Sequence, residues 1–179
     1  MRQALAVVFL CAGIGGALAA PSQLDGWFAD LAKAGSPGEA RPIEDKIAAA
    51  FRQSGSASVD LLMSRAKDAL SASDNKTAMA LLASVTKLAP NYAEGWHARA
   101  TLEAAGGNDS AAMLSLQKVV RLNPRHFTAM VELADMLEDY GDKAGALKLY
   151  RAALKLDPQL EGAARHVQGL ARDVEGQGL

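Results

Sequence analysis

The stretch "LAPNY" at residues 88–92 closes a helix-forming run, and its pattern returns as "LNPRH" at 122–126 and "LDPQL" at 156–160. Leu88, Leu122 and Leu156 are spaced 34 residues apart. A residue ahead of proline is pushed out of the α region, so Ala89, Asn123 and Asp157 are expected to end one helix and turn the chain toward the next. Three such stops at one interval mark a repeat.

Outward from the prolines, the same period aligns whole helix faces. Leu62, Trp96 and Met130 are large at one place in the unit, and Ala66, Ala100 and Ala134 are small at another. Ala78, Ala112 and Ala146 are small at a third, and Leu82, Leu116 and Tyr150 are large at a fourth. Each unit therefore holds two helical patterns. Small residues let two antiparallel helices approach, and the large ones fill the space between one pair and the next. The turns "SASDN" (71–75), "GGND" (106–109) and "YGDK" (140–143) divide the units about halfway, with residues that leave one helix and cap another. Lys87, Arg121 and Lys155 stand in the last turn of each second helix, where a cation suits the negative end of the dipole.

With these helix–turn–helix units the chain resembles the tetratricopeptide-repeat (TPR) family, most specifically in "YAEGWHARATLEAAGG" (92–107) and "YGDKAGALKLYRAALKLDP" (140–158). The units are 59–92, 93–126 and 127–160. Arg65 and Arg99 stand where the family usually has leucine, and Glu103 where it usually has tyrosine. The resemblance implies an all-α solenoid that acts as a protein-interaction module, its first helices lining a concave groove. On that pattern the partner groove is expected at Lys67, Glu94, His97, Thr101, Thr128, Val131, Asp135 and Glu138. The carboxylate clamp through which the family grips a peptide terminus would fall on Met63, Lys67, Ala98, Val131 and Asp135, of which only Lys67 fits. "SVDLLMSR", "NYAEGW" and "PRHF" also look like small exported bacterial proteins of this family with no assigned function. That likeness implies a periplasmic or secreted protein.

Two flanks remain. "GAARHVQGLARDVEG" (162–176) starts like a fourth first helix without a second, as expected of a helix that closes the last hydrophobic face, so 161–179 reads as capping helix and tail. In 20–58, Gln23–Lys33 and Ser36–Gln53 read as a helix pair, with Ser36, Pro37 and Glu39 starting its second helix and Pro42 expected to kink it. This pair is expected to cap the opposite end of the array. Residues 1–19 read as an export signal: Arg2, an apolar run, and Ala17 and Ala19 as the small residues a signal peptidase reads. The alternative is an uncleaved anchor, for which the apolar core is short.

Composition narrows the function. Fifty per cent hydrophobic residues in 179 support one domain with a core, and a formal charge of −1 with interspersed signs offers nothing to nucleic acid. The single cysteine, Cys11, lies in the export signal. "SRAK" (64–67) and "SDN" (73–75) imitate motifs of penicillin-binding enzymes but lack the strand context and separation that chemistry needs. His97, His126 and His166 show no metal-ligand spacing, and His97 beside Glu94 reads as a surface pair. No catalytic residue, cofactor, small-molecule substrate or metal is assigned. The segment 127–142 carries Glu132, Asp135, Glu138, Asp139 and Asp142 and no basic residue. It reads either as a solvated face neutralised by Arg165 and Arg172, or as an acidic patch that steers a basic partner. The expected function is a non-catalytic adaptor for a protein or peptide in the cell envelope. The alternatives are self-association through the N-terminal helix pair and an enzyme whose site forms from distant residues. A groove that closes into a pocket with converging titratable groups is what would favour the enzyme.

Overall fold

The computed structural model describes residues 22–176. All regular secondary structure among them is α-helical: α1 (Gln23–Leu31), α2 (Pro37–Phe51), α3 (Ala57–Ser71), α4 (Asn75–Leu88), α5 (Ala93–Ala105), α6 (Asp109–Leu122), α7 (Phe127–Asp139), α8 (Lys143–Leu156) and α9 (Ala163–Glu175). The expected export signal lies outside the described residues. No helix among those described is long and apolar enough to cross a membrane.

The repeat rule predicts the packing of α3 through α8. Ala78, Ala112 and Ala146 are fully buried, and Ala66, Ala100 and Ala134 are exposed by no more than 2%. These alanines let α3 close on α4, α5 on α6 and α7 on α8. Leu82, Leu116 and Tyr150 fill the same place in each pair, exposed by no more than 3%. The turns repeat too. Asp74, Asn108 and Asp142 cap the second helices by accepting the N–H of Thr77 (3.0 Å), Ala111 (3.3 Å) and Gly145 (2.9 Å). Each cap follows a residue with left-handed backbone: Ser73 (φ 60°), Gly107 (75°) and Gly141 (86°). Repeat 1 asks a serine to do what glycine does in the other two.

Repeat 2 carries a substitution for the missing tyrosine. Glu103 is 5% exposed, a costly place for a lone carboxylate. Arg99 one turn earlier donates to its Oε1 at 2.7 Å, and Ser115 on α6 donates to Oε2 at 2.6 Å. Two departures from the family pattern, Arg99 and Glu103, are thus halves of one ion pair whose carboxylate is buried. In repeat 3 the buried Tyr150 hydroxyl donates to Asp135 and, at 3.2 Å, to Glu138. Burial, then these carboxylates, push the phenol well above its ordinary range.

At the C-terminal end α9 closes the face of α8, burying Ala163 and Leu170 and stacking His166 on Tyr150 at 4.9 Å. The N-terminal pair corrects the sequence expectation. It does not cap the array beside α3, where Leu61 stays 53% exposed. Instead, α1 and α2 fold back as a strap along the junctions between units. Tyr92, His126 and Leu160 occupy one place in three successive units, and α2 touches the row in reverse order. Tyr92 donates its hydroxyl to the Arg52 carbonyl at 2.8 Å, Phe51 lies 5.2 Å from the His126 ring, and Leu160 joins the cluster of Phe28, Leu31 and Ile47. Gln159 donates to the Ala34 carbonyl at 2.9 Å. At 1.5 Å per residue a helix of this length spans roughly 20 Å, enough to follow such a row.

The seat is Phe127. Its counterparts are Val59 and Ala93, so only the third unit offers an aromatic ring, which Phe28 meets edge-on at 6.4 Å. Arg125 lies over the Phe28 ring at 4.5 Å and pairs with Asp25 at 2.5 Å. Hydrogen bonds from Ser22 and from Arg125 hold the Asp25 carboxyl down to about 2. The helix continues through Pro42. Asp157 is fully buried; its Oδ1 accepts the Gln159 N–H at 2.9 Å, but its Oδ2 has no partner among the ordinary donors. Glu44 of the strap lies against it. Burial and the Asp157 charge raise the Glu44 carboxyl above its usual range.

Candidate functional site

The inner face of repeats 2 and 3 is built by α5 and α7, and the strap divides it. Under the strap, Glu94 and His97 project one turn apart from α5, and His126 caps α7 by accepting the Ala129 N–H on Nδ1 at 3.2 Å. That bond places the ring proton on Nε2, which faces Glu94 Oε1 at 2.8 Å. His97 Nε2 stands 2.9 Å from Glu132 on α7, and its Nδ1 is 4.0 Å from Glu94. The two imidazole rings meet edge to face at 4.6 Å. Burial pulls the His97 pKa down, but the bond to Glu132 and the charges of Glu132 and Glu94 outweigh it and raise the value above 6.5. For Glu94, burial pushes upward, and His126 and His97 reverse it.

The expected surface pair of Glu94 and His97 is therefore half-buried, with side chains 15% and 17% exposed, because the junction before α7 brings His126 against it. What converges is two imidazole–carboxylate pairs, each satisfied by its own partner. A cavity of about 190 Å³ remains between them, Ile47 and Phe51 of α2 and the following Arg52, with Thr128 also in its lining.

Beyond the strap the face is open. A cleft of about 370 Å³ lies between α5 and α7, lined by Thr101, Asp109, Glu132, Asp135, Met136, Asp139 and Tyr140. Its lining holds four carboxylates and no basic side chain. Among the described residues, no salt bridge joins Arg165 or Arg172 to any of them: Glu138 pairs with His166 at 2.8 Å, and Arg172 donates to the Gln168 carbonyl.

The eight residues expected to line one groove are thus distributed. Glu94, His97 and Thr128 lie at the covered part, and Thr101 and Asp135 line the open cleft. Val131 packs with the apolar clusters on both sides of it, and Glu138 is held by Tyr150 and His166. Lys67 is exposed on α3 and lines neither space. His126 and Glu132 were missed as members of the covered site. The only hint was the place of His126 in the unit, where the preceding repeat has Tyr92.

Comparison with known proteins agrees with this architecture. No family model matches the chain. A TPR repeat-containing protein of Rhizobium etli is 34% identical over 161 residues, covering 89% of this chain and 79% of its own. Among solved structures, the type III secretion chaperone SycD of Yersinia enterocolitica, in complex with a peptide of the translocator YopD, superposes with a TM-score of 0.58 at 14% identity. That match covers 66% of this chain and 95% of SycD. The TPR2B domain of yeast Sti1, in complex with pHsp70, gives 0.55 at 22% identity over 69% of this chain and all of that domain. Repeat length, helix pairing and this relative together place the chain in the family of TPR repeat-containing proteins.

Proposed function

We propose that the protein is a non-catalytic adaptor of the cell envelope that holds a basic segment of a partner polypeptide in the open cleft between repeats 2 and 3. The observation that carries this reading is the lining of the cleft: Asp109, Glu132, Asp135 and Asp139 face one space, and of the four only Glu132 has an ionic partner, His97. A lysine or arginine entering there gains from the three aspartates, and charged approach raises association rate more than affinity. Tyr140 and Met136 add apolar surface for the stem of such a side chain. The YopD peptide held by SycD and the pHsp70 held by the Sti1 domain, both of which share the fold, support a polypeptide as occupant. Export rests on the apolar run and the alanines before Ala20.

Envelope crosslinking from a photoreactive residue at Met136, followed by identification of the captured protein, tests the reading. A partner with a basic segment at the crosslink supports it. For that partner, D135N/D139N should slow association mainly at low ionic strength, where screening is weak. An unchanged rate at every salt concentration overturns the cleft as the binding surface. Export is tested separately: protein recovered from cells should begin at Ala20, and Met1 in a cytoplasmic pool contradicts it.

A further inference from the structure

Glu94 and His97 stand one turn apart on α5, His126 caps α7, and the ligating atoms of the three lie within 4.8 Å of one another. We propose that Glu94, His97 and His126 form a Zn²⁺ site that staples repeat 2 to repeat 3 beneath the strap, with Glu132 as the positioning residue for His97. Two imidazoles and a carboxylate are the donor set of zinc sites that leave a fourth position open. The absence of a thiolate points away from softer ions.

The second sphere is already in place. Glu132 holds His97 Nε2 at 2.9 Å and leaves Nδ1 directed to Glu94, the carboxylate–histidine–metal order that fixes a ligand ring and raises its basicity. All three ligands rise from helical backbone or a helix cap, so the site needs no loop to be ordered. The cavity of about 190 Å³ under Phe51 and Arg52 gives an entry path and room for a water in the fourth position. The charge also fits, since Glu94 and Glu132 bring two partly buried carboxylates to the site.

Proton bookkeeping limits the affinity. Binding displaces the proton that His97 carries on Nδ1 when charged. At His126 the proton moves from Nε2 to Nδ1, where it confronts the Ala129 N–H, so the metal form gives up that cap bond. Micromolar affinity is therefore expected.

Calorimetric titration of the untagged full chain with ZnCl₂ tests the site. The expected result is one Zn²⁺ per chain and a higher melting temperature. H97Q and E94Q should each weaken binding by about tenfold or more, and E132Q by about tenfold with helicity unchanged. H166Q, at the exposed His166–Glu138 pair, should bind as the parent does. Co²⁺ in place of Zn²⁺ should show ligand-field absorption that H97Q removes. No heat and no thermal shift at millimolar Zn²⁺ overturns the proposal, as does parental affinity in folded H97Q and E94Q. So does a loss of binding confined to H166Q, which would place the ion on the surface.

Discussion

At its C-terminal end the array is closed by a helix that keeps step with it, whereas the N-terminal helix pair ignores that step and lies across the junctions. Gly95, Ala129 and Ala163 are 34 residues apart and all buried, so α9 meets α8 as α5 meets α4 and α7 meets α6. At Gly95 the approach is so close that an added Cβ would lie 2.6 Å from Val85. The strap depends on residues that do not recur: Phe127 where the other units have Val59 and Ala93, and Gln159 reaching Ala34. A flank that continues the period is fixed by the nearest-neighbour rule of the array. A flank that does not must find the one surface its apolar residues fit, and here that surface is the row of junctions flanking the inner face.

The sharpest break of this comparison is to empty one buried position in each flank. Leu170→Ala and Ile47→Ala should each cost about 2–5 kcal/mol locally. L170A should lower the melting transition of the whole array, while I47A should leave that transition in place and expose residues 52–58 to protease. An I47A variant whose entire transition drops with L170A would make the strap part of the cooperative block.

Within the array, overfilling a period-locked contact should be felt everywhere. Ala112→Leu is expected to cost about 1–3 kcal/mol, read as a lower urea midpoint, because Ala112 is fully buried between α5 and α6. Exposed Ser110→Ala should leave the midpoint unchanged.

Strap docking should also depend on pH, in the sense opposite to α9, whose Asp173 and Glu175 are held low by hydrogen bonds from Lys143 and Arg151 of α8. Glu44 is raised above 4.5 in the folded chain, so the docked strap retains a proton that the released strap sheds. Docking is fully supported below 4.5 and weakens as pH rises through the folded value. Amide exchange of α2 should accelerate over that rise. Glu44→Gln should flatten the dependence and slow the exchange of α2 at neutral pH.

The smallest effect belongs to the first turn. Ser73 holds φ 60° where the other units have glycine. Ser73→Gly should stabilise the array by under about 1 kcal/mol, the left-handed strain being partly offset by glycine entropy. A destabilised variant would show that the Ser73 side chain contributes more than its backbone strain removes.

The array was legible because its informative contacts lie within one unit or between neighbours. Alanine at 78, 112 and 146 announces the same close contact three times, and Asp74, Asn108 and Asp142 announce the same cap. The two flanking helix segments were legible as helices, but only the C-terminal one was legible in position. Of the inner face, the acidic run on α7 could be read directly. The cluster of Glu94, His97, His126 and Glu132 could not, because His97 and Glu94 look like an ordinary surface pair until another repeat is placed beside them.

The sequence by itself determined the helix-pair repeat, its turns and its closing helix, since a period of 34 residues repeats one local solution and fixes each unit against the next. Only the tertiary structure decided where the strap lies, which half of the inner face it covers, and which titratable groups meet beneath it. Those depend on single contacts between residues as far apart as Asp25 and Arg125, or Ala34 and Gln159. No spacing rule encodes such contacts, because they form only after the stacked repeats have placed Phe127, His126 and Leu160 in reach of the strap.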